Sequence, residues 1–408
     1  MKQNAFIAGV GVTHFGKHAD RSLSNLAHEA IQQAIGDAGI HLNDIQAVWA
    51  GTAAAPVITG QLCIAGQVIL RGLGVGRIPV INVENACATA STAFQQAASM
   101  ITLGAYDVVL AFGVDKLYHP DKKRVFSVFD GCADVEHPEM LQQFVLKDGA
   151  IAEGAGQTRS VFMDIYARLA RDYMTASGAT PADYAAVSAK NSVHGSMNPN
   201  AQYRKVVSPQ EVMDSAPIVA PLTLLMCSPI ADGAAAAVLM SAKAARRFGV
   251  RQPVRVLSSV LASGYDYTPS DDNVTRWTAE QAYSFAGVGP KDLHCVECHD
   301  ATAPAELIHY ESLGLCGKGD GVRLLREGHT RLGGRLPVNT SGGLMRKGHP
   351  IGATGLAQIH ELTLQLRGSA GPRQVEGARL ALAENGGGFV GTDSGAVAVT
   401  VLAREDLA

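Results

Sequence analysis

No stretch of this 408-residue chain strings together the roughly 18–20 uncharged apolar residues of a membrane-spanning helix, so a helical membrane protein is not expected. A surplus of charge is missing too. With 34 basic and 37 acidic residues the formal charge is −3, which offers no electrostatic reason for nucleic acid or an anionic membrane as partner. The start, Met1 to Val12, has too short an apolar run and too much glycine for a secretory signal, and reads as a first strand. No phosphate loop of the Gly-x-x-x-x-Gly-Lys-Ser/Thr type occurs. No linker is rich enough in proline or serine to separate independently moving domains. The seven cysteines are an odd count in a long chain, which favours reduced thiols and a cytoplasmic location over a disulfide framework. Cys295-Val-Glu-Cys298-His299 has the spacing of a haem attachment site, but it overlaps a strand, where positions three apart face opposite sides. A zinc site fails for want of a second Cys/His pair at ligand spacing, so no metal is expected.

What is present is a duplication. Ala38-Gly-Ile-His-Leu-Asn-Asp-Ile-Gln-Ala-Val48 is echoed without a gap by Ala286-Gly-Val-Gly-Pro-Lys-Asp-Leu-His-Cys-Val296. Each copy leads to a small-residue helix start, at Asn85–Ser91 and at Gly348–Gly355. Each half closes on a similar strand, Asp232–Val238 against Ser394–Thr400. In the first half the spacing predicts strands over 6–12, 47–51, 80–83 and 108–112, with helices over 23–38, 62–73 and 89–103. Alternation of this length implies a mainly parallel α/β sheet covered on both faces. Residues 118–216 have no counterpart in the second half, are richer in charged and aromatic residues, and read as an inserted helical loop domain. Sheet pattern returns over 226–239. The resulting organisation is an N-terminal half (1–117 with 217–248), the inserted loop domain (118–216) and a C-terminal half (249–408). Halves joined in this way are expected to pack as a five-layer αβαβα sandwich with the two central helices face to face.

Cys87 is the first candidate. It follows a strand and precedes a helix, where the macrodipole and free N–H groups lower a thiol pKa; the alternative is a buried packing cysteine. His349 holds the equivalent place in the other half, with Pro350 suited to the first helical turn. A histidine there is a base and a counter-charge for a thiolate, or else a capping or core residue. His299 ends the echoed strand, in the crevice where α/β sheets bind ligands, and its N–H suits an oxyanion; packing at a strand end is the plainer reading. Gly386, Gly387 and Gly388 precede the last strand, and their N–H groups with that of Cys87 suit a second oxyanion hole, or form a plain turn.

These residues carry a resemblance. The Cys87 element, Cys227-Ser-Pro-Ile-Ala-Asp-Gly233, His299-Asp300 with Glu306-Leu307 and Tyr310–Cys316, Asn339–Leu344, and Gly348-His-Pro-Ile-Gly-Ala-Thr-Gly355 resemble a thiolase. The likeness is to the sterol-carrier-protein type without its lipid-binding domain, and it spans nearly the whole chain. It implies the thiolase fold and a ping-pong acyl transfer. Cys87 would attack a 3-oxoacyl-CoA with His349 as its base, His299 would hold the enolate oxygen, and coenzyme A would collect the acyl group. The acyl-CoA is then a substrate, with no covalently bound cofactor. The resemblance also implies a homodimer and, for some relatives, a small zinc-ribbon/OB-fold subunit. Asp121-Lys-Lys-Arg124 is either a contact for coenzyme A phosphates or a solvated face. One element departs from the family. Its second cysteine lies in a Cys-x-Gly element of the last loop or two residues after the His299 position, and here those places hold no thiol, the latter being Ala301. This absence leaves open another carrier of the α-carbon proton, His349 or a substrate-bound water, and equally a CoA-linked retro-aldolase or an acyltransferase to a non-CoA acceptor. The inserted segment is expected to shape the acyl pocket, while its aromatic residues read as core in preference to pocket lining.

Overall fold

Both copies of the echoed segment fold alike. Helix Leu23–Ala38 ends on Gly39 at φ 66° and helix Val274–Ala286 on Gly287 at φ 71°, a left-handed cap that glycine adopts without a Cβ penalty. An aspartate then ties the following turn. Asp44 accepts from the His41 N–H at 2.9 Å and Asp292 from the Gly289 N–H at 2.8 Å. Each turn delivers the chain into a strand.

The computed structural model describes residues 1–146, 154, 158–266 and 272–405. In chain order the strands are β1 (Lys2–Val12), β2 (Ala47–Gly51), β3 (Val80–Val83), β4 (Val108–Asp115), β5 (Pro217–Val219), β6 (Leu222–Thr223), β7 (Gly233–Met240), β8 (Val254–Ala262), β9 (Cys295–Glu297), β10 (Leu380–Val390) and β11 (Asp393–Arg404). Nine of them form one sheet in the order β3-β2-β4-β7-β1-β8-β11-β10-β9, and β5 and β6 form a separate pair. The first-half and second-half strands meet where β1 runs antiparallel to β8.

Helices cover this sheet in layers. Helix Leu23–Ala38 packs Leu26 and Ile31 against Val48, Leu110 and Val238 on one outer face. Helices Thr89–Thr102 and Thr354–Arg367 lie between the halves, where Phe94, Ala97, Leu356 and Leu362 share one core with Ile7, Ala237, Ala381 and Leu402. Helices Val274–Ala286 and Ala303–Ser312 cover the far side of the second half. The architecture is α/β and layered, with two central helices in contact. Gly355 of one sits so close to Ser91 of the other that a Cβ would meet the Ser91 hydroxyl at 1.9 Å.

The sheet is mixed rather than mainly parallel. Only β2 with β3 and β4, and β9 with β10, pair parallel; the other neighbours are antiparallel. The connections explain it. β4 leaves into the 118–216 segment and the chain returns beside it as β7, while β10 turns directly into β11 through Gly391 at φ 59°. Neither is a helical crossover, which parallel neighbours require. The helix expected over 62–73 shortens to Ala65–Arg71, because Ile64 stands at φ 52° before it. The sheet pattern expected from 226 begins only at Gly233.

Candidate active site

β3 ends at Val83, and a single 3₁₀ turn, Ala86–Ala88, carries the chain into helix Thr89–Thr102. Ala86 is held at φ 47°, a strained value for a residue with a Cβ. Thr89 secures it: its hydroxyl donates to the Ala86 carbonyl at 2.6 Å and accepts from the Asn85 N–H at 2.8 Å. Cys87 therefore projects from a rigid elbow, 8% exposed.

His349 arrives from the other half. Its N–H donates to the Pro229 carbonyl at 3.2 Å, and Ile230 pairs with it in a parallel bridge. The Cys227–Gly233 segment also braces the His299 loop, through the Ser228 N–H to the Ala301 carbonyl at 2.9 Å. Nε2 of His349 stands 3.3 Å from the Cys87 Sγ, and Nδ1 lies 2.7 Å from the Thr354 Oγ1. The Thr354 hydroxyl spends its proton on the Pro350 carbonyl at 3.1 Å. Nδ1 must then donate to Thr354, which leaves the Nε2 lone pair facing the thiol.

A similar chain of partners sets His299. The Ser91 hydroxyl donates to the Asn385 Oδ1 at 2.9 Å, so the Asn385 amide nitrogen is the donor to the His299 Nδ1 at 2.8 Å. The proton of His299 then sits on Nε2, as an oxyanion donor requires. The His299 and His349 rings meet edge to face with centroids 5.1 Å apart.

Burial sets the charges. It pushes the Cys87 thiol well above its ordinary value, with the nearby Cys132, Asp115 and Glu84 adding to the rise. His349 is lowered to about 3 by burial and by the charge of Lys347. His299 is lowered by burial, then by His349 and His309. The thiol pKa lowered by a helix terminus, expected from sequence, is therefore reversed: desolvation outweighs the dipole. The resting pair is a neutral thiol beside a neutral imidazole.

Gly386, Gly387 and Gly388 also line the site, though not as a loop. They continue β10, paired through Gly386 to Val397 and Gly387 to Ala396. A Cβ on Gly387 would stand 2.3 Å from the Asn85 carbonyl oxygen, so its glycine lets the strand touch the Cys87 elbow. Ala301 lines the cavity, whereas Cys298 is turned into the outer core beside Asn339 and Cys295 into the central one. Cys132 and Cys227 reach the cavity wall, but each thiol donates to a backbone carbonyl of its own turn, and burial lifts both to about 12.

The cavity holds about 310 Å³. Its roof comes from the inserted segment: Phe126, Phe129, Phe162 and Tyr166 line it, contrary to the reading of these aromatics as core. Tyr173 does pack in the core, with its hydroxyl on Glu311. The residues 121–124 form the exposed start of helix Lys122–Asp130, whose other face carries Phe126 into the wall.

Asp115 went unnoticed in the sequence. It closes the apolar β4, and its carboxylate accepts from the Thr52 hydroxyl at 2.7 Å, the Ala54 N–H at 2.9 Å and the Gly352 N–H at 2.6 Å. It thus ties the Gly348–Gly355 element to the first half. The only signal was an acid ending an otherwise apolar strand. Asn191 acts similarly from the inserted segment, donating to Asp300 at 2.9 Å and Glu306 at 2.7 Å.

Ligand atoms of Cys87, His299 and His349 lie within 4.8 Å of one another. The set does not fit a metal as hydrogen-bonded, because His299 presents an N–H to the centre rather than a lone pair. Among the described residues no helix is long and apolar enough to cross a membrane.

Comparison with known proteins gives two family matches, "Thiolase, N-terminal domain" over residues 5–219 and "Thiolase C-terminal domain-like" over 262–401. Sterol carrier protein 2 of Gallus gallus is 36% identical over 414 residues, covering 99% of this chain and 72% of that protein. The benzoylsuccinyl-CoA thiolase subunit BbsB of Thauera aromatica is 36% identical, covering 92% of each. An acetyl-CoA acetyltransferase of Methanothermobacter thermautotrophicus is 37% identical, over 95% of this chain and 97% of that one. Among solved structures, the Ltp2-ChsH2(DUF35) aldolase superposes with a TM-score of 0.79 at 26% identity, covering 99% of this chain and 98% of its own.

Proposed function

The chain belongs to the thiolase family and is an acyltransferase of that family, and from that premise we propose that it transfers acyl groups by a ping-pong cycle through a thioester on Cys87. The observation that carries the reading is the 3.3 Å approach of the His349 Nε2 lone pair to the Cys87 Sγ. In the first half-reaction His349 takes the thiol proton as sulfur attacks the ketone of a 3-oxoacyl-CoA. The bond between the α-carbon and that ketone breaks, and the shorter acyl-CoA leaves as an enolate whose oxygen the His299 N–H holds. The Cys87 N–H with Gly386, Gly387 and Gly388 forms the second oxyanion hole, on the acyl side. Coenzyme A then attacks the thioester.

The unit boundaries 1–117 with 217–248, 118–216 and 249–408 belong to this proposal, with the inserted unit shaping the acyl pocket through its roof aromatics. So does a homodimer, supported by β3 at the open edge of the sheet and by the exposed Leu62 and Ile64 beside it. Seven free cysteines fit a reducing, cytoplasmic setting.

Incubation with acetyl-, hexanoyl-, decanoyl- and benzoyl-CoA, read by intact and peptide mass, tests the cycle. An acyl adduct on Cys87 that disappears in Cys87→Ala is expected; an equal adduct in the variant removes the covalent mechanism.

A second reading has its own observation. The fold match to an aldolase solved with ChsH2(DUF35), and the likeness to a thiolase subunit, support a retro-aldolase or an acyltransferase to a non-CoA acceptor working beside a small zinc-ribbon/OB-fold partner. Cleavage of a 3-hydroxyacyl-CoA that survives Cys87→Ala marks the lyase. Full thiolysis by the isolated chain removes the need for a partner.

A further inference from the structure

Ping-pong cleavage needs a second acid–base group, because the α-carbon must gain a proton when the bond breaks and lose one in the reverse direction. His349 is occupied with the thiol, and the cavity thiols of Cys132 and Cys227 are bonded to their own turns. Of the other titratable groups at the wall, Asp393 accepts from the Val274 N–H at 2.9 Å, Arg159 is paired with Asp164, and Tyr166 is a phenol whose acidity burial weakens further, which leaves His309 with the buried Glu384 beside it. His309, on helix Ala303–Ser312, lines the cavity beside Ala305 and Ile308. Its Nδ1 is buried and unpartnered, 3.6 Å from the Glu384 Oε2.

Glu384 is wholly buried, and its Oε1 is unpartnered as well. Its Oε2 accepts the His299 N–H at 2.9 Å, so the carboxylate is fixed to the backbone of the oxyanion histidine. It also begins Glu384-Asn385-Gly386, which stands where a Cys-x-Gly element would. The His309 Nδ1, itself without a hydrogen bond, faces the Oε2 that already serves the His299 backbone, just beyond hydrogen-bond length, a loose contact of the kind that tightens when a ligand arrives. A carboxylate beside Nδ1 orients the ring. Among the described residues no hydrogen-bond partner falls on the His309 Nε2, and the residue lines the cavity.

Resting on the acyl-transfer reading above, we propose that His309, oriented by Glu384, is the second acid–base group of the site and carries the proton of the substrate α-carbon. In the cleavage direction the bond between the α-carbon and the ketone breaks, and its electron pair passes to the enolate. The His309 imidazolium protonates the α-carbon from Nε2, releasing the shorter acyl-CoA. His309 regains a proton from the thiol of the incoming coenzyme A, whose sulfur attacks the Cys87 thioester. Cys87 leaves and takes back its proton from His349. Each histidine ends as it began, and no other reactant is needed.

The test separates the two half-reactions. Acylation of Cys87 by acetyl- or hexanoyl-CoA needs no α-proton transfer, whereas exchange of the α-hydrogens of the same thioesters with D₂O does. His309→Gln is expected to form the Cys87 adduct more slowly, because the departing coenzyme A loses the proton His309 would supply, but to the same end-point mass, which also reports a folded site, while α-exchange falls by about 10²–10⁴-fold. Glu384→Gln is expected to lower exchange less, and Ala301→Cys placed in the His309→Gln chain to restore part of it. Undiminished exchange in His309→Gln with an intact adduct overturns the proposal and leaves the acyl-transfer reading standing. So does exchange that survives His309→Gln but collapses in Tyr166→Phe. No adduct from any thioester in the wild type sinks both.

Discussion

Cys87 and His349 face each other as two uncharged groups, and this state has a kinetic signature. A thiolate–imidazolium pair would give a cysteine that reacts fast from acidic pH upward; a buried neutral pair reacts only as the thiol is deprotonated in the encounter. Alkylation of the free enzyme by iodoacetamide is therefore expected to climb with pH through the ordinary thiol range, with no plateau near neutrality. His349, lowered to about 3 by burial and Lys347, remains a base far below pH 6.5. The acid limb of kcat/KM should accordingly lack a group near the ordinary histidine value. A limb near 6.5 that vanishes in His349→Gln, or a neutral plateau in alkylation, contradicts the neutral pair. At this scale the sequence exposes the two residues that the fold brings face to face, because helix-mouth cysteine and histidine sit in recognisable strings. It conceals their charge state, which depends on burial and on neighbours such as Asp115 and Lys347. It conceals the tautomers too, since Thr354 and Asn385 set them through single hydrogen bonds.

The central helices show how an element transmits a small change to the chemistry. Gly355 opens helix Thr354–Arg367 directly against Ser91, whose hydroxyl orients Asn385 and, through it, His299. A methyl group at 355 would overlap the Ser91 oxygen and approach the Asn385 Oδ1 at 2.8 Å. Overpacking of this kind costs about 1–3 kcal/mol. Gly355→Ala is thus expected to lower the thermal midpoint and to depress kcat rather than raise KM, since in the proposed cycle the His299 N–H acts mainly on the developing enolate. Ser91→Ala in the same chain should return part of the stability but not the rate. A rate unchanged in Gly355→Ala would break the proposed line from helix contact to oxyanion donor. Most of these elements were legible. Helix Leu23–Ala38 and strands β2 and β3 fall where spacing places them, because apolar period and cap residues agree there. The Gly386–Gly388 run was misread as a loop, because glycine's turn preference is overridden by pairing with β11 and by the close approach to Cys87.

At the scale of the whole molecule, duplication raises the question of whether the halves are separate bodies. The repeat was legible, since both copies of the echoed segment fold alike, with a glycine cap and an aspartate-tied turn in each. The face-to-face packing of the central helices followed from the duplication, but the strand seam did not: nothing in β1 or β8 distinguishes an outer edge from a seam, and pairing across it depends on which faces the central helices bury. The structure leaves little room for independence. Ile7, Ala237 and Phe94 of the first half share a core with Leu356, Leu362 and Leu402 of the second, and β1 is hydrogen-bonded to β8. Opening either half exposes the apolar face of the other, at roughly 25 cal/mol per Å². The two tryptophans make this testable, because Trp49 lies in β2 and Trp277 in helix Val274–Ala286. In Trp277→Phe the remaining fluorescence reports the first half, and in Trp49→Phe it reports the second. The fluorescence midpoint in urea is expected to coincide with the far-UV circular dichroism midpoint of the same variant, in both chains. Separated midpoints in either one would mean that the halves unfold in turn, and that the shared core is weaker than the seam and the central helices imply.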